Sequence, residues 1–147
     1  MAAGLLFLVC AAAVLYSAEA WRPYNGLPEI YKKGVNLVRQ ELTTHSKIRH
    51  RYQFLKSVDK LETESGFDGK YIYYHFLLKP TIAPQLLMDC VICYKAIANQ
   101  IKGKPEPYVH CIQRQRLTEE MKKTRLGHYR NMIYYSGAPT LFALTAN

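Results

Sequence analysis

The sequence lacks the usual marks of catalysis. Ser57, Ser65 and Ser136 sit in no Gly-x-Ser-x-Gly elbow, and the five histidines form no His-Glu-x-x-His pair. No Gly-rich loop is built to cradle phosphate. The acidic pairs Glu62/Glu64 and Glu119/Glu120 lie on polar stretches, where a solvated face explains them better than acid–base work. An enzyme is therefore not expected, nor is a cofactor. Long apolar runs are also missing. Leu5 to Val14 is too short for a membrane-spanning helix, which needs about 20 apolar residues. With Ala18 and Ala20 flanking Glu19, it has the pattern of a secretory signal (1–20) cut between Ala20 and Trp21. The plain alternative is a buried N-terminal helix. No Asn-x-Ser/Thr sequon occurs, so N-glycosylation is not expected.

Acidic residues are scarce. Eleven Asp and Glu face twenty Lys and Arg, a net charge of +9. Losing Glu19 with the leader leaves ten acidic residues and a net +10. Such a surface attracts polyanions, either glycosaminoglycan or an anionic membrane surface. The candidates to carry that contact are Lys47, Arg49 and Arg51 in one row and Lys122, Lys123 and Arg125 in another. A solvated basic face is the plain alternative, and an oxidising compartment argues against nucleic acid as a partner. Cysteine is sparse too. Cys10 leaves with the leader, so Cys90, Cys93 and Cys111 remain. An odd number implies one bridge and a leftover thiol, or an intermolecular bond.

Helical period marks Tyr31, Gly34, Val35, Val38 and Leu42 as one apolar stripe, predicting a helix over 28–45 that begins at Pro28. Gly34 within that stripe suits close approach of a sheet. From Ile48 the period becomes two, with a slip near Leu55, predicting a strand with a wet face. Residues 59–69 are polar and end in the turn Ser65-Gly-Phe-Asp-Gly69. Three further strands are predicted over 71–78, 90–101 and 108–117, with 103–107 as a hairpin loop. The segment 119–130 is basic and either helical or mobile. Cys90-x-x-Cys93 with His110-Cys111 superficially offers zinc ligands, but neighbouring residues on a strand leave opposite faces. The hairpin instead brings Cys90 and Cys111 together as a disulfide, and no metal is expected.

The last fourteen residues, Tyr134 to Asn147, hold no charged side chain and keep neither helical nor strand period. Such a tail either packs back on its own domain or is presented to another molecule. The second fate is expected here, with Tyr134, Tyr135, Leu141 and Phe142 as anchors and Gly137 and Pro139 shaping a turn between them.

Helix, sheet and late hairpin cysteines together resemble the cystatin-like group. The resemblance implies an α+β fold in which one N-terminal helix packs on a curled antiparallel sheet of about four strands. Its limits would be 21–117, followed by a basic segment and apolar tail over 118–147. The Gln-x-Val-x-Gly and Pro-Trp loops of inhibitory cystatins are not matched by Leu61–Gly69 and Lys102–Pro107. The tail is neutral, unlike the cationic peptide released by cathelicidin precursors. The chain is most similar to the chemerin family. That similarity rests on Tyr31-Lys-Lys-Gly-Val35, Phe54-Leu-Lys-Ser-Val58, Gly69-Lys-Tyr-Ile-Tyr-Tyr-His-Phe-Leu-Leu-Lys79, Cys90-Val-Ile-Cys93, Val109-His-Cys111 and the tail.

The resemblance implies a secreted, monomeric chemoattractant and adipokine acting in inflammation, leukocyte chemotaxis and metabolic signalling. Its tail would activate a chemokine-like G-protein-coupled receptor through Tyr134, Tyr135, Gly137, Pro139, Leu141, Phe142, Ala143, Leu144 and Thr145. The chain lacks the partner that Cys93 has in the family, which implies an unpaired, buried thiol. No Lys or Arg follows Arg130. The chain would thus be secreted nearly active, or trimmed by an elastase-like or carboxypeptidase-like processing protease. A cationic antimicrobial protein and, less well matched, a cysteine protease inhibitor are the rival expectations.

Overall fold

The computed structural model describes residues 24–45, 51–66 and 69–136. The elements in order are α1 (Glu29–His45), β1 (Tyr52–Glu64), β2 (Gly69–Pro80), β3 (Met88–Ile97), β4 (Gln100–Ile101), β5 (Tyr108–Gln113), a single 3₁₀ turn (Arg114–Arg116) and α2 (Glu119–Ser136). The architecture is α+β. The strands form one antiparallel sheet in the order β1-β2-β3, and the far edge of β3 is shared between β5 and the two-residue β4.

One face of the sheet receives α1. Ile30, Tyr31, Val35 and Val38 bury against Ile72, Tyr74, Phe76, Leu78, Cys90, Ile92 and Tyr94. These are alternate residues of β2 and β3, as a strand's period of two requires. Gly34 lies over the Tyr94 ring. A methyl group there would stand 3.1 Å from the ring edge and from the hydroxyl, so an alanine would require the Tyr94 ring to give by a few tenths of an ångström. The Tyr94 hydroxyl in turn donates to the Ile30 carbonyl at 2.8 Å, tying the first turn of α1 to the sheet.

The opposite face is covered as well. Tyr129 and Met132 of α2 pack on Tyr71, Tyr73, Val91 and Cys93. β2 and β3 are therefore buried on both faces. Three predicted boundaries are corrected here. The polar stretch 59–64 continues β1 rather than forming a loop. Tyrosine hydroxyls satisfy its side chains from both faces: Tyr31 donates to Glu62, Ser57 shares a hydrogen bond with Tyr74 at 2.5 Å, and Thr63 one with Tyr129 at 2.6 Å. The predicted strand 90–101 breaks at Ala98 and Asn99, which both adopt positive φ (51° and 60°) in the tight turn between β3 and β4. The last strand ends at Gln113, and residues 114–116 wind into the 3₁₀ turn. The slip near Leu55 is a break in the β1–β2 register between Phe54 and Lys56, and a second follows between Ser57 and Asp59. Such bulges bend an edge strand.

Cys90 and Cys111 are directly paired across β3 and β5, with Cα atoms 4.2 Å apart, and form a disulfide. The bridge closes a separation of 21 residues. Its reduction is expected to cost about 3 kcal/mol. The midpoint of urea unfolding with and without reductant measures this, and identical midpoints would contradict it.

Candidate functional site

Residues 118–136 carry the site. Thr118 caps α2, its hydroxyl accepting the Met121 amide at 3.1 Å, and Glu119 and Glu120 sit at the positive end of the helix dipole. The helix is held down at mid-length by Arg125, which is 1% exposed. Its guanidinium donates to the Asp89 carboxylate, to the Asp89 carbonyl at 3.0 Å and, through Nε, to His110 Nδ1 at 2.8 Å. His75 Nε2 completes the group, 2.8 Å from both carboxylate oxygens of Asp89. The four residues come from β2, β3, β5 and α2. Burial alone would raise the Asp89 pKa, but hydrogen bonds from His75 and Arg125 outweigh it and hold the carboxyl below its usual range. Burial and the neighbouring guanidinium push the His110 pKa down.

Arg125 therefore leaves the polyanion-binding set predicted from sequence. A cation is buried only when paired, and Asp89 is its partner. Lys122 and Lys123 are exposed on α2, and Lys122 meets Glu119 at 3.0 Å. Arg51 is exposed ahead of β1, whereas Lys47 and Arg49 lie outside the described residues.

Beyond Arg125 the stripe Leu126, Tyr129, Met132 and Ile133 keeps α2 on the sheet. Tyr129 donates to the Tyr71 carbonyl at 3.1 Å. This packing carries helical geometry through Ser136, so Tyr134 and Tyr135 belong to the last turn of α2 rather than to an irregular tail. Both point outward. Tyr134 is 45% and Tyr135 77% exposed, and their rings meet edge to face at 5.1 Å. Tyr135 also borders a shallow groove formed with Pro105, Pro107, Tyr108 and His128. Gly137, Pro139, Leu141, Phe142, Ala143, Leu144 and Thr145 lie outside the described residues, as do Ala20 and Trp21.

Cys93 is buried and forms no disulfide among the described residues. Burial pushes its thiol pKa up to about 12, which leaves it protonated and a poor nucleophile or metal ligand. Cys111 packs on the α1 side of the sheet while His110 faces Arg125 on the α2 side, so the two point apart. Among the described residues no three His, Cys, Asp or Glu side chains are grouped to hold a metal ion, and no helix is long and apolar enough to cross a membrane.

The Arg125 group gives the fold a defined pH response. The lowered His110 pKa means that the unfolded chain takes up a proton first, so stability falls as pH drops through about 6.5. The lowered Asp89 pKa adds stability that is present above the ordinary carboxylate range and is lost as pH falls through the folded value. Urea midpoints between pH 8 and pH 3 should decline in two limbs. His110→Gln, which keeps an acceptor for the Arg125 Nε, should flatten only the upper one. A single limb confined to the carboxylate range would contradict this account.

Comparison of the chain with protein-family models, with curated proteins and with solved structures finds no match.

Proposed function

We propose that the chain is a secreted chemerin-like ligand, built on a cystatin-like scaffold, whose C-terminal residues activate a chemokine-like G-protein-coupled receptor. The observation that carries this reading is the placement of Tyr134 and Tyr135. They are exposed at the end of an anchored helix, immediately before twelve residues that hold no charged side chain. An exposed aromatic pair followed by Leu141 and Phe142 supplies the large apolar anchors on which a receptor pocket draws for affinity. A rigid attachment point also limits the freedom lost on binding. The Asp89–Arg125 pair and the Tyr129 contacts support this role by fixing α2 to the sheet.

Under this reading the message resides in 134–145 and the α+β domain is its carrier. A synthetic peptide of residues 134–145 should raise calcium in cells bearing such a receptor. Its Phe142→Ala version should be weaker by about 30-fold, the loss of one apolar anchor worth about 2 kcal/mol. A peptide that is silent while the whole chain signals would remove the mechanism, and so would a Phe142→Ala peptide of undiminished potency.

A further inference from the structure

The second face of the sheet is not fully covered by α2. Where the helix begins, a cleft of about 420 Å³ stays open between β1, β2, the 3₁₀ turn and the first turn of α2. That volume is within the range of small-ligand clefts. Three cationic side chains line it from three separate elements: Lys56 of β1, Arg114 of the 3₁₀ turn and Lys122 of α2. Lys56 and Arg114 make no ion pair with a described carboxylate, and the exposed Glu119 is the one partner of Lys122. The only acid in the lining is Asp89, which is buried and already engaged by Arg125 and His75. The cleft is therefore positive.

Val58, Leu77 and Leu117 add apolar side chains to the lining, and Leu77 is almost fully buried. The exposed lining is more polar than apolar, so a ring with polar groups around its edge and C–H groups on its face fits better than an acyl chain.

We propose that this cleft binds a sulfated saccharide, with sulfate or carboxylate groups on Lys56, Arg114 and Lys122 and a sugar face on Val58 and Leu117. The natural source of such a ligand is cell-surface glycosaminoglycan, and in that respect the proposal rests on the secreted reading. The geometry selects Lys56 and Arg114, which charge patterning along the sequence did not single out, and it replaces the buried Arg125. Binding here would hold the domain at the cell surface near the N-terminal end of α2, whereas the tail follows its C-terminal end.

The test compares two double charge reversals in the full chain. Lys56→Glu with Arg114→Glu alters the cleft. Lys104→Glu with Arg130→Glu changes net charge equally at exposed positions outside it. Binding of a heparin octasaccharide is measured by calorimetry at physiological salt, with circular dichroism confirming the fold of each variant. The cleft variant should lose at least about 10-fold in affinity and the control no more than about 2-fold, because close charge pairs act locally while distant ones are screened within about 8 Å. Equal losses in both variants would overturn the site in favour of net charge alone. Absence of octasaccharide binding, or cleft-dependent binding to phosphatidylserine vesicles in its place, would also overturn it. No receptor enters this measurement, so its failure is distinguishable from failure of the tail mechanism.

Discussion

Asp89→Ala is expected to destabilise the protein by about 3–5 kcal/mol, because it strands a buried guanidinium without its counter-charge. Asp89 and Arg125 are both buried, and Arg125 makes its described hydrogen bonds only to Asp89 and His110. Removing the carboxylate leaves that cation, 1% exposed, in the layer between sheet and helix without its counter-charge. For a domain of this size each kcal/mol moves the thermal midpoint by about 4 °C, so a fall of about 12–20 °C is expected. Arg125→Ala should cost a similar amount from the other side. The double variant Asp89→Leu with Arg125→Leu should recover at least half of the loss, since replacing both partners by apolar groups leaves no unpaired charge. Thermal unfolding followed by circular dichroism measures all three. Single variants as stable as the parent chain would mean that this pair does not hold α2.

The same pair explains why the second helix layer was hard to see in the sequence. The α1 stripe of Tyr31, Gly34, Val35 and Val38 is purely apolar and was legible from its period. The stripe of α2 begins with Arg125 and Leu126 and passes Gly127 before Tyr129, Met132 and Ile133. A cation at its head disguises the inward face as a basic, solvated segment. A signal did exist elsewhere. Tyr71 to Leu78 runs aromatic and aliphatic with only His75 between, whereas a strand with one wet face alternates. That continuity marks a strand covered on both sides and so implies a second layer.

The disulfide was legible because Cys90 and Cys111 lie on the two strands either side of a hairpin, although the observed register, with Cys93 opposite Tyr108, is not the one that a loop at 103–107 alone would set. The length of β1 was not. Its polar residues 59–64 are stabilised by Tyr31 and Tyr129 from elements distant in sequence, and local propensity is silent about such partners. The turn at Ala98-Asn99 was missed for the opposite reason: alanine seldom takes positive φ, so it gives no turn signal. Tyr134 and Tyr135 were expected in an irregular tail, and their helical geometry follows from the packing of Met132 and Ile133 beside them.

Shortening the chain to end at Ser136 is the second large effect. It removes Leu141 and Phe142 while leaving α1, the sheet, α2 and both exposed tyrosines in place. If the message lies in the tail, signalling should weaken by at least about 100-fold, the loss of two apolar anchors of about 2 kcal/mol each being more than sufficient. The fold should not change, because the buried contacts of α2 described here end at Ile133. Calcium response in receptor-bearing cells, measured on the intact chain and on the chain ending at Ser136 with matched thermal midpoints, tests the claim most directly. A stable shortened chain that no longer signals is the result expected, and a stable shortened chain as potent as the intact one would contradict it.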